Sequence, residues 1–262
     1  MSKIVNLLKL KDYITLTGTT LGLIAVLLVT IGGRAFVSLG FFLLAFTVGT
    51  DLLDGYIARK TGTINEIGKQ LDSLNDSLTF GIAPAVLMFQ GFRRIVDSLD
   101  PYDYILLIAC VIFALCAIIR LARFNISNAP GYTGIPTPLS ALLMINFFYA
   151  NYFFAIAEGG GGYQAYDIAF PFFSYILIPI IMIFLGWTNI TTSINFGEKD
   201  KKIYRYFIVF APLCPIFGII GIINPSFVIA VIVSLVFFIF VIIEIIYIAF
   251  GLITTKLNRN SE

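Results

Sequence analysis

The sequence contains no histidine, and only 12% of its 262 residues are charged. Without histidine, the chain has neither a serine–histidine nucleophilic pair nor a zinc site of the HExxH type. The three cysteines, Cys110, Cys116 and Cys214, lie in apolar runs without metal-ligand spacing, so we interpret them as inert core thiols. A formal net charge of +2 and the lack of a basic stripe argue against nucleic-acid binding.

What the sequence has in abundance is apolar residues. Its hydrophobic fraction of 59% and mean hydropathy of +0.95 are far above those of a soluble domain. A membrane span needs about 20 apolar residues and must be a helix, because lipid offers no partner for free backbone groups. We therefore predict an all-α integral membrane protein, a single membrane-embedded domain over residues 1–262. The eight predicted spans are residues 13–31, 35–58, 67–90, 102–123, 136–157, 167–189, 204–222 and 226–253.

The basic residues predict how this bundle is oriented. Residues 1–11 are short and basic, and we interpret them as an interfacial segment. With the amino terminus in the cytoplasm, all but three of the 17 lysines and arginines fall on the cytoplasmic side, and the exceptions are Arg34, Arg93 and Arg94. Because positive charge favours the inner side, both termini are predicted to be cytoplasmic.

Two pairs of aspartates flank a polar, turn-prone linker at residues 60–66. Asp51 and Asp54 are three residues apart, and Asp72 and Asp76 are four apart, so each pair lies on one helical face. If the two helices fold back as a hairpin, the four carboxylates meet and need cations between them. Solvated helix ends are the simpler alternative, but carboxylates in apolar spans are costly and usually functional. Oxygen ligands of this kind suit Mg²⁺ or Mn²⁺.

Eight residues of this region stand at fixed distances: Asp51, Asp54, Gly55, Ala58, Arg59, Gly68, Asp72 and Asp76. At all eight positions the pattern resembles the motif of the CDP-alcohol phosphotransferase family. The resemblance implies two divalent cations, Mg²⁺ or Mn²⁺, bound by the four aspartates. It also implies that Asp76 is the catalytic base that takes the proton of the acceptor hydroxyl.

The resemblance further implies a site for a CDP-lipid donor. Small side chains at Gly55 and Ala58 allow a nucleotide to approach the backbone, although tight helix packing explains small residues equally well. Arg59 suits a phosphate oxygen or a motif carboxylate. Thr61 either caps the next helix or touches the nucleotide, and both roles stay open. The predicted donor-binding residues are Asp51, Gly55, Ala58, Arg59, Thr61 and Gly68.

Three later segments resemble the bacterial and archaeal phosphatidylserine synthase branch of the family. They are FGIAPA at 80–85, RLARFN at 120–125 and GIPTP at 134–138, with Asn75 and Ile135 as mild departures from the usual Ala and Leu. The resemblance covers about residues 12–190, which implies a six-helix family core followed by two additional helices at about 204–253. It also implies a homodimer.

The acceptor is predicted from the second of these segments. Arg120 and Arg123 share a helix face, and paired arginines suit the carboxylate of an amino acid, although anchoring at the membrane surface also explains them. Together with Asn125 they are the predicted serine-binding residues. The predicted reaction transfers a phosphatidyl-type group from CDP-diacylglycerol or CDP-archaeol to L-serine and releases CMP. Direct attack is expected, since the motif contains no Ser or Cys nucleophile.

Other functions need weighing against this one. The same chemistry with glycerol phosphate or an inositol phosphate as acceptor would require a larger basic cluster. An ion-coupled transporter would place acids near the middle of the bilayer, and an intramembrane aspartyl protease would need a GxGD element, which this sequence lacks. Glu244 in the last span faces a polar seam or a partner subunit, and we predict a structural role for it.

Overall fold

The computed structural model of the protein describes residues 8–62, 66–94, 99–126, 132–162, 169–196 and 213–259. Within these ranges the regular secondary structure is helical apart from one very short sheet. The helices are α1 (Leu10–Ile31), α2 (Arg34–Thr61), α3 (Glu66–Asp76), a π-helical segment (Ser77–Ile82), α4 (Ala83–Phe92), α5 (Pro101–Ile126), α6 (Thr137–Glu158), α7 (Phe172–Ile190), α8 (Leu213–Ile223) and α9 (Phe227–Arg259). The antiparallel strands are β1 (Tyr132–Thr133) and β2 (Asn195–Phe196).

Six helices in the described part of the chain are long and apolar enough to cross a membrane: α1, α2 as far as Ala58, α5, α6, α7 and α9 as far as Ile253. The predicted third span, 67–90, corresponds to α3, the π-helical segment and α4 in unbroken succession. Of the predicted seventh span, residues 204–212 lie outside the described residues, and α8 covers the part from Leu213. The helical class is confirmed, and the number of eight spans stays a prediction.

The π-helical segment begins directly after Asp76 and ends just before Pro84. Proline has no backbone N–H, so Pro84 does not donate the α-helical hydrogen bond to the carbonyl of Phe80. The turn before it widens, and the amide of Ala83 donates to the carbonyl of Leu78, five residues back. Such insertions are frequent at functional sites. Here the insertion lies where the chain leaves the aspartate motif.

Helix α6 forms the centre of the bundle. Most of its residues are buried, as expected of a helix that is apolar on all sides. Helix α9 packs closely against α6. Rings from the two helices stack, and the ring centroids of Tyr149 and Phe237 are 5.1 Å apart. On another side Phe148 stacks on Phe41 of α2 at 4.4 Å. Because α6 touches α2 and the π-helical segment on one side and α9 on another, it connects the two parts of the chain.

Helix α1 packs closely against α2 and the π-helical segment through two glycines. A Cβ atom at Gly18 would lie 2.6 Å from Thr50 Oγ1, and one at Gly22 would lie 2.7 Å from Thr79 Cγ2. Neither distance is possible for a real Cβ atom unless the threonine side chain or the helix shifts. Between them, Thr19 Oγ1 donates to Asn75 Oδ1 at 2.9 Å. This contact brings the first turns of α1 against the aspartate motif.

A buried polar seam joins α6, α8 and α9. Asn146 Nδ2 donates to Glu244 Oε1 at 3.0 Å, and Cys214 Sγ donates to Asn146 Oδ1 at 2.6 Å. All three residues are buried. The acid of the last span is therefore bonded within its own chain, which agrees with the structural role predicted for it.

This seam predicts that Glu244 stabilises the fold through its accepting oxygen. Glu244→Leu leaves the amide of Asn146 buried without an acceptor, which costs roughly 1–3 kcal/mol. Glu244→Gln keeps an accepting oxygen and is expected to melt close to the wild type. Thermal unfolding of detergent-purified protein measures both, with Glu158→Gln, at an exposed position, as the control. A Glu244→Leu variant as stable as the wild type contradicts the prediction.

Candidate active site

Three aspartates from two helices form one group of carboxylates. Asp51 of α2 and Asp72 and Asp76 of α3 each contribute an oxygen, and these oxygens all lie within 4.8 Å of one another. The three residues are half-buried, so water screens their mutual repulsion only in part. The helices meet here because α2 ends at Thr61 and Gly62 takes a left-handed conformation, with φ of 62°. Few side chains other than glycine tolerate that conformation.

The donor set of this group fits a hard divalent cation. Within the described residues, Asp76 Oδ1 is buried and has no hydrogen-bond donor. A carboxylate oxygen in that position is costly unless a cation binds it. Three carboxylates whose oxygens lie this close can ligate Mg²⁺ or Mn²⁺ at ordinary bond lengths after small side-chain movements.

Asp54, the fourth predicted ligand, lies beside this group rather than in it. Its side chain is buried, and its Oδ2 accepts a hydrogen bond from Thr15 Oγ1 of α1 at 2.6 Å. Its charge still interacts with those of Asp51 and Asp72. The structure therefore brings three of the four aspartates together and holds the fourth next to them through α1.

Of the predicted donor-binding residues, Gly55 and Ala58 are half-buried near the end of α2, and Gly68 is buried in the first turn of α3. The side chains of Arg59 and Thr61 lie outside the described part of the structure. The donor site thus stays a prediction, on the turns of α2 and α3 that lie between the carboxylates and the connection of the two helices.

Arg120 is the predicted acceptor residue that faces the carboxylates. It is buried on α5, and its Nη1 donates to Thr137 Oγ1 of α6 at 3.3 Å. Its positive charge attracts Asp51 and Asp76. A guanidinium in this place has the charge and the donors to hold a carboxylate next to the metal ligands.

In the described part of the chain, the hydrogen bonds of Arg123 and Asn125 go to groups other than the motif carboxylates. Arg123 donates to two backbone carbonyls, with Nη1 2.7 Å from the oxygen of Ile190 and Nη2 2.9 Å from that of Thr133. Asn125 Nδ2 donates to Ser73 Oγ at 2.7 Å. The shared helix face thus does not bring the two arginines to one ligand. Arg123 therefore links α5 to the end of α7 and to strand β1, and Asn125 links α5 to α3.

Sequence reasoning missed the part that α1 plays. Lys11, predicted within the interfacial segment, belongs to the first turn of α1 and is 8% exposed. Its charge attracts Asp54 and Asp72. The available signal was the spacing of Lys11, Thr15 and Thr19, since polar residues four apart at the start of an apolar span mark one helix face turned away from lipid.

Comparison with known proteins bears on what this arrangement does. The sequence profile of the CDP-alcohol phosphatidyltransferases matches residues 9–194. The chain belongs to the CDP-alcohol phosphatidyltransferase family. The match begins just before α1, ends just before β2 and includes every residue of the site described above, whereas α8 and α9 follow it. Membership of this family agrees with an integral membrane protein and with the use of divalent cations.

Relatives within the family are similar over much of the chain. A CDP-diacylglycerol–serine O-phosphatidyltransferase of Methanocaldococcus jannaschii is 32% identical over 237 residues, which is 86% of this chain and 98% of the relative. An archaetidylserine synthase of Methanothermobacter thermautotrophicus is 33% identical over 155 residues, 58% of this chain and 62% of the relative. A CDP-diacylglycerol–serine O-phosphatidyltransferase of Bacillus subtilis is 32% identical over 128 residues, 47% of this chain and 69% of the relative.

The carboxylate group predicts a measurable metal site. Asp72→Asn removes one negative charge and one ligand oxygen, so its affinity for Mn²⁺ is expected to fall roughly tenfold or more. Electron paramagnetic resonance of free Mn²⁺ during a titration measures this without substrate. Glu158→Gln, at the opposite end of the bundle, serves as the matched loss of an exposed carboxylate and is expected to bind like the wild type. Equal affinities for Asp72→Asn and the wild type contradict the site.

Proposed function

We propose that this protein transfers a phosphatidyl-type group from a CDP-linked lipid to L-serine and releases CMP. The observation that carries the proposal is the position of Arg120, a buried cation that attracts two of the family's motif carboxylates, Asp51 and Asp76. The names of the relatives, two serine O-phosphatidyltransferases and one archaetidylserine synthase, point to the same acceptor.

The metal ligands in this proposal are Asp51, Asp54, Asp72 and Asp76. Two divalent cations, Mg²⁺ or Mn²⁺, would neutralise charge on the phosphoryl oxygens. The unpartnered buried oxygen of Asp76 and the proximity of the three carboxylates support this assignment. Asp54 would join these ligands through the carboxylate oxygen that does not accept from Thr15, or after its hydrogen bond with Thr15 breaks.

Asp76 also acts as the base. It takes the proton of the serine hydroxyl, whose oxygen attacks the β-phosphorus of the CDP-lipid, and the bond from that phosphorus to the CMP oxygen breaks. A covalent enzyme intermediate is not needed. The two serines nearest Asp76 on this helix are engaged, because Ser73 Oγ donates to the carbonyl of Lys69 and Ser77 Oγ donates to that of Ser73.

On the acceptor side, Arg120 holds the serine carboxylate. Thr137 Oγ1 accepts one of its hydrogen bonds and thereby keeps the guanidinium turned toward α6 and the motif. The contacts of Arg123 and Asn125 fix the cytoplasmic end of α5, so in this proposal these two residues shape the serine site by positioning Arg120. The alternative, in which Arg123 and Asn125 contact serine directly, has less support from the contacts that these two side chains make.

The proposed setting is a bilayer crossed eight times, with both termini and the active site on the cytoplasmic side and two chains forming a dimer. The distribution of lysine and arginine supports this orientation. The lipid tails of the donor lie between helices, and either diacylglycerol or archaeol satisfies an apolar groove. The CDP part enters at the end of α2, where Gly55, Ala58, Arg59 and Thr61 are proposed to bind it, together with Gly68.

Two alternative functions are less well supported. Glycerol phosphate and inositol phosphate carry more negative charge than serine, so they need more positive charge at the acceptor site. Of the two predicted acceptor arginines, Arg120 is the one whose charge acts on Asp51 and Asp76 in the described part of the chain. A transporter needs acids near the middle of a span, whereas Asp51 and Asp54 lie in the last two turns of the apolar stretch Arg34–Ala58.

The direct test is a reaction with defined components. Purified protein with Mn²⁺, labelled L-serine and either CDP-diacylglycerol or CDP-archaeol is expected to form labelled lipid and CMP, and to form none in excess chelator. Asp76→Asn is expected to keep at least one Mn²⁺ bound while product formation stops, because the base is lost and the other motif carboxylates stay. Labelled lipid formed at the wild-type rate by Asp76→Asn excludes it as the base.

The acceptor role of Arg120 predicts a selective kinetic defect. Arg120→Ala removes a charge-assisted contact worth about 1.5–3 kcal/mol, which is roughly a tenfold to 150-fold loss in kcat/KM for serine. The KM for CDP-lipid is expected to change little. Arg123→Ala is the comparison at the same helix end, and it is expected to lower thermal stability more than serine affinity. A loss of CDP-lipid affinity in Arg120→Ala places this residue in the donor site instead.

A further inference from the structure

The aspartate motif is flanked by two buried cations from different helices. Arg120 of α5 attracts Asp51 and Asp76, and Lys11 of α1 attracts Asp54 and Asp72. The proposed reaction gives Arg120 a ligand, but it gives none to Lys11. Lysine is among the residues least often buried, so a lysine that is 8% exposed in this position requires an explanation.

Four contacts at the start of α1 fix Lys11, and one of them, between Thr15 and Asp54, reaches the motif. Lys11 Nζ lies 3.2 Å from Asp12 Oδ1, and Asp12 is itself fully buried with its Oδ2 accepting from the amide of Lys9 at 2.7 Å. The hydroxyl of Thr15 lies 3.1 Å from the carbonyl of Lys11 and 2.6 Å from Asp54 Oδ2. The backbone of Lys11 and the carboxylate of Asp54 thus share one hydroxyl group.

A fixed ammonium beside these acids has two opposite effects. It lowers the repulsion among the carboxylates when no divalent cation is present, and it repels a divalent cation that enters the group. Removing its charge also ends the ion pair between Lys11 and Asp12, so the net charge next to the motif becomes more negative. This change favours an incoming divalent cation and disfavours the cation-free protein.

We propose that Lys11 is a positioning residue that serves as a built-in counter-cation for the Asp54 and Asp72 side of the motif. It keeps these acids in place before divalent cations bind and weakens cation binding, and thereby sets the metal affinity of the site. This inference rests on the proposed metal site. It adds that α1, which contributes none of the four motif carboxylates, determines how tightly the cations bind.

The test asks whether substitution of Lys11 raises or lowers the affinity for Mn²⁺. Electron paramagnetic resonance measures this affinity without CDP-lipid or serine. Lys11→Met is expected to bind Mn²⁺ roughly tenfold more tightly than the wild type, because a nearby positive charge is removed. Lys11→Arg keeps the charge and is expected to bind like the wild type. Lys9→Met is the matched control, since Lys9 lies two residues away and is exposed; its affinity is expected to stay within about twofold.

Thermal unfolding adds a second readout. In chelator, Lys11→Met is expected to melt below Lys9→Met, and saturating Mn²⁺ is expected to close most of that gap. If Lys11→Met does not survive purification in chelator, it is purified with Mn²⁺ and titrated with a chelator of known affinity, which measures the same constant.

The possible outcomes separate this inference from the proposed function. Unchanged or weaker Mn²⁺ binding by Lys11→Met overturns the inference, because damage to the site weakens binding and only the loss of an opposing charge tightens it. A lower affinity for CDP with unchanged Mn²⁺ binding overturns it too, and makes Lys11 a donor-binding residue. Absence of Mn²⁺ binding in the wild-type protein instead contradicts the proposed metal site itself.

Discussion

Mutual repulsion of the carboxylates that α2 and α3 bring together is the constraint on which the rest of the structure depends. Asp51, Asp72 and Asp76 approach one another where water is partly excluded, and Asp54 lies beside them. Like charges in such a place are stable only with compensation. The chain supplies part of it through the hydroxyl of Thr15 and the charges of Lys11 and Arg120. Divalent cations complete the compensation in the proposed enzyme.

The rest of the bundle serves to hold these groups at fixed distances. Helix α1 approaches closely because Gly18 and Gly22 have no side chains, and α5 is fastened at its end by Arg123. Helix α6 carries Thr137, which bonds Arg120 of α5. The family match ends at residue 194, yet α9 packs closely against α6. The last helices therefore complete the core of the molecule although they lie beyond the region that defines the family.

The two cations beside the motif make different contacts in the part of the chain that the structure describes. Arg120 extends from α5 toward Asp51 and Asp76, and one of its hydrogen bonds goes to the neutral hydroxyl of Thr137. Lys11 lies against Asp12, and its backbone shares the hydroxyl of Thr15 with Asp54. In our proposals the first cation recognises serine and the second controls the affinity for the metal.

The sequence by itself determined the helical class, most of the helix positions and the identity of the four aspartates. These features depend on local rules, because a helix in lipid satisfies its own backbone and its periodicity places Asp51 near Asp54 and Asp72 near Asp76. Only the tertiary structure decided which side chains meet. Thr15 bonds Asp54 across 39 positions of sequence, and Arg123 turns to the carbonyl of Ile190 across 67. Arg120 and Arg123 share a helix face, yet they separate because the end of α7 offers carbonyls to one and α6 offers a hydroxyl to the other. Such choices depend on how distant helices pack, and the spacing of residues within one helix does not contain that information.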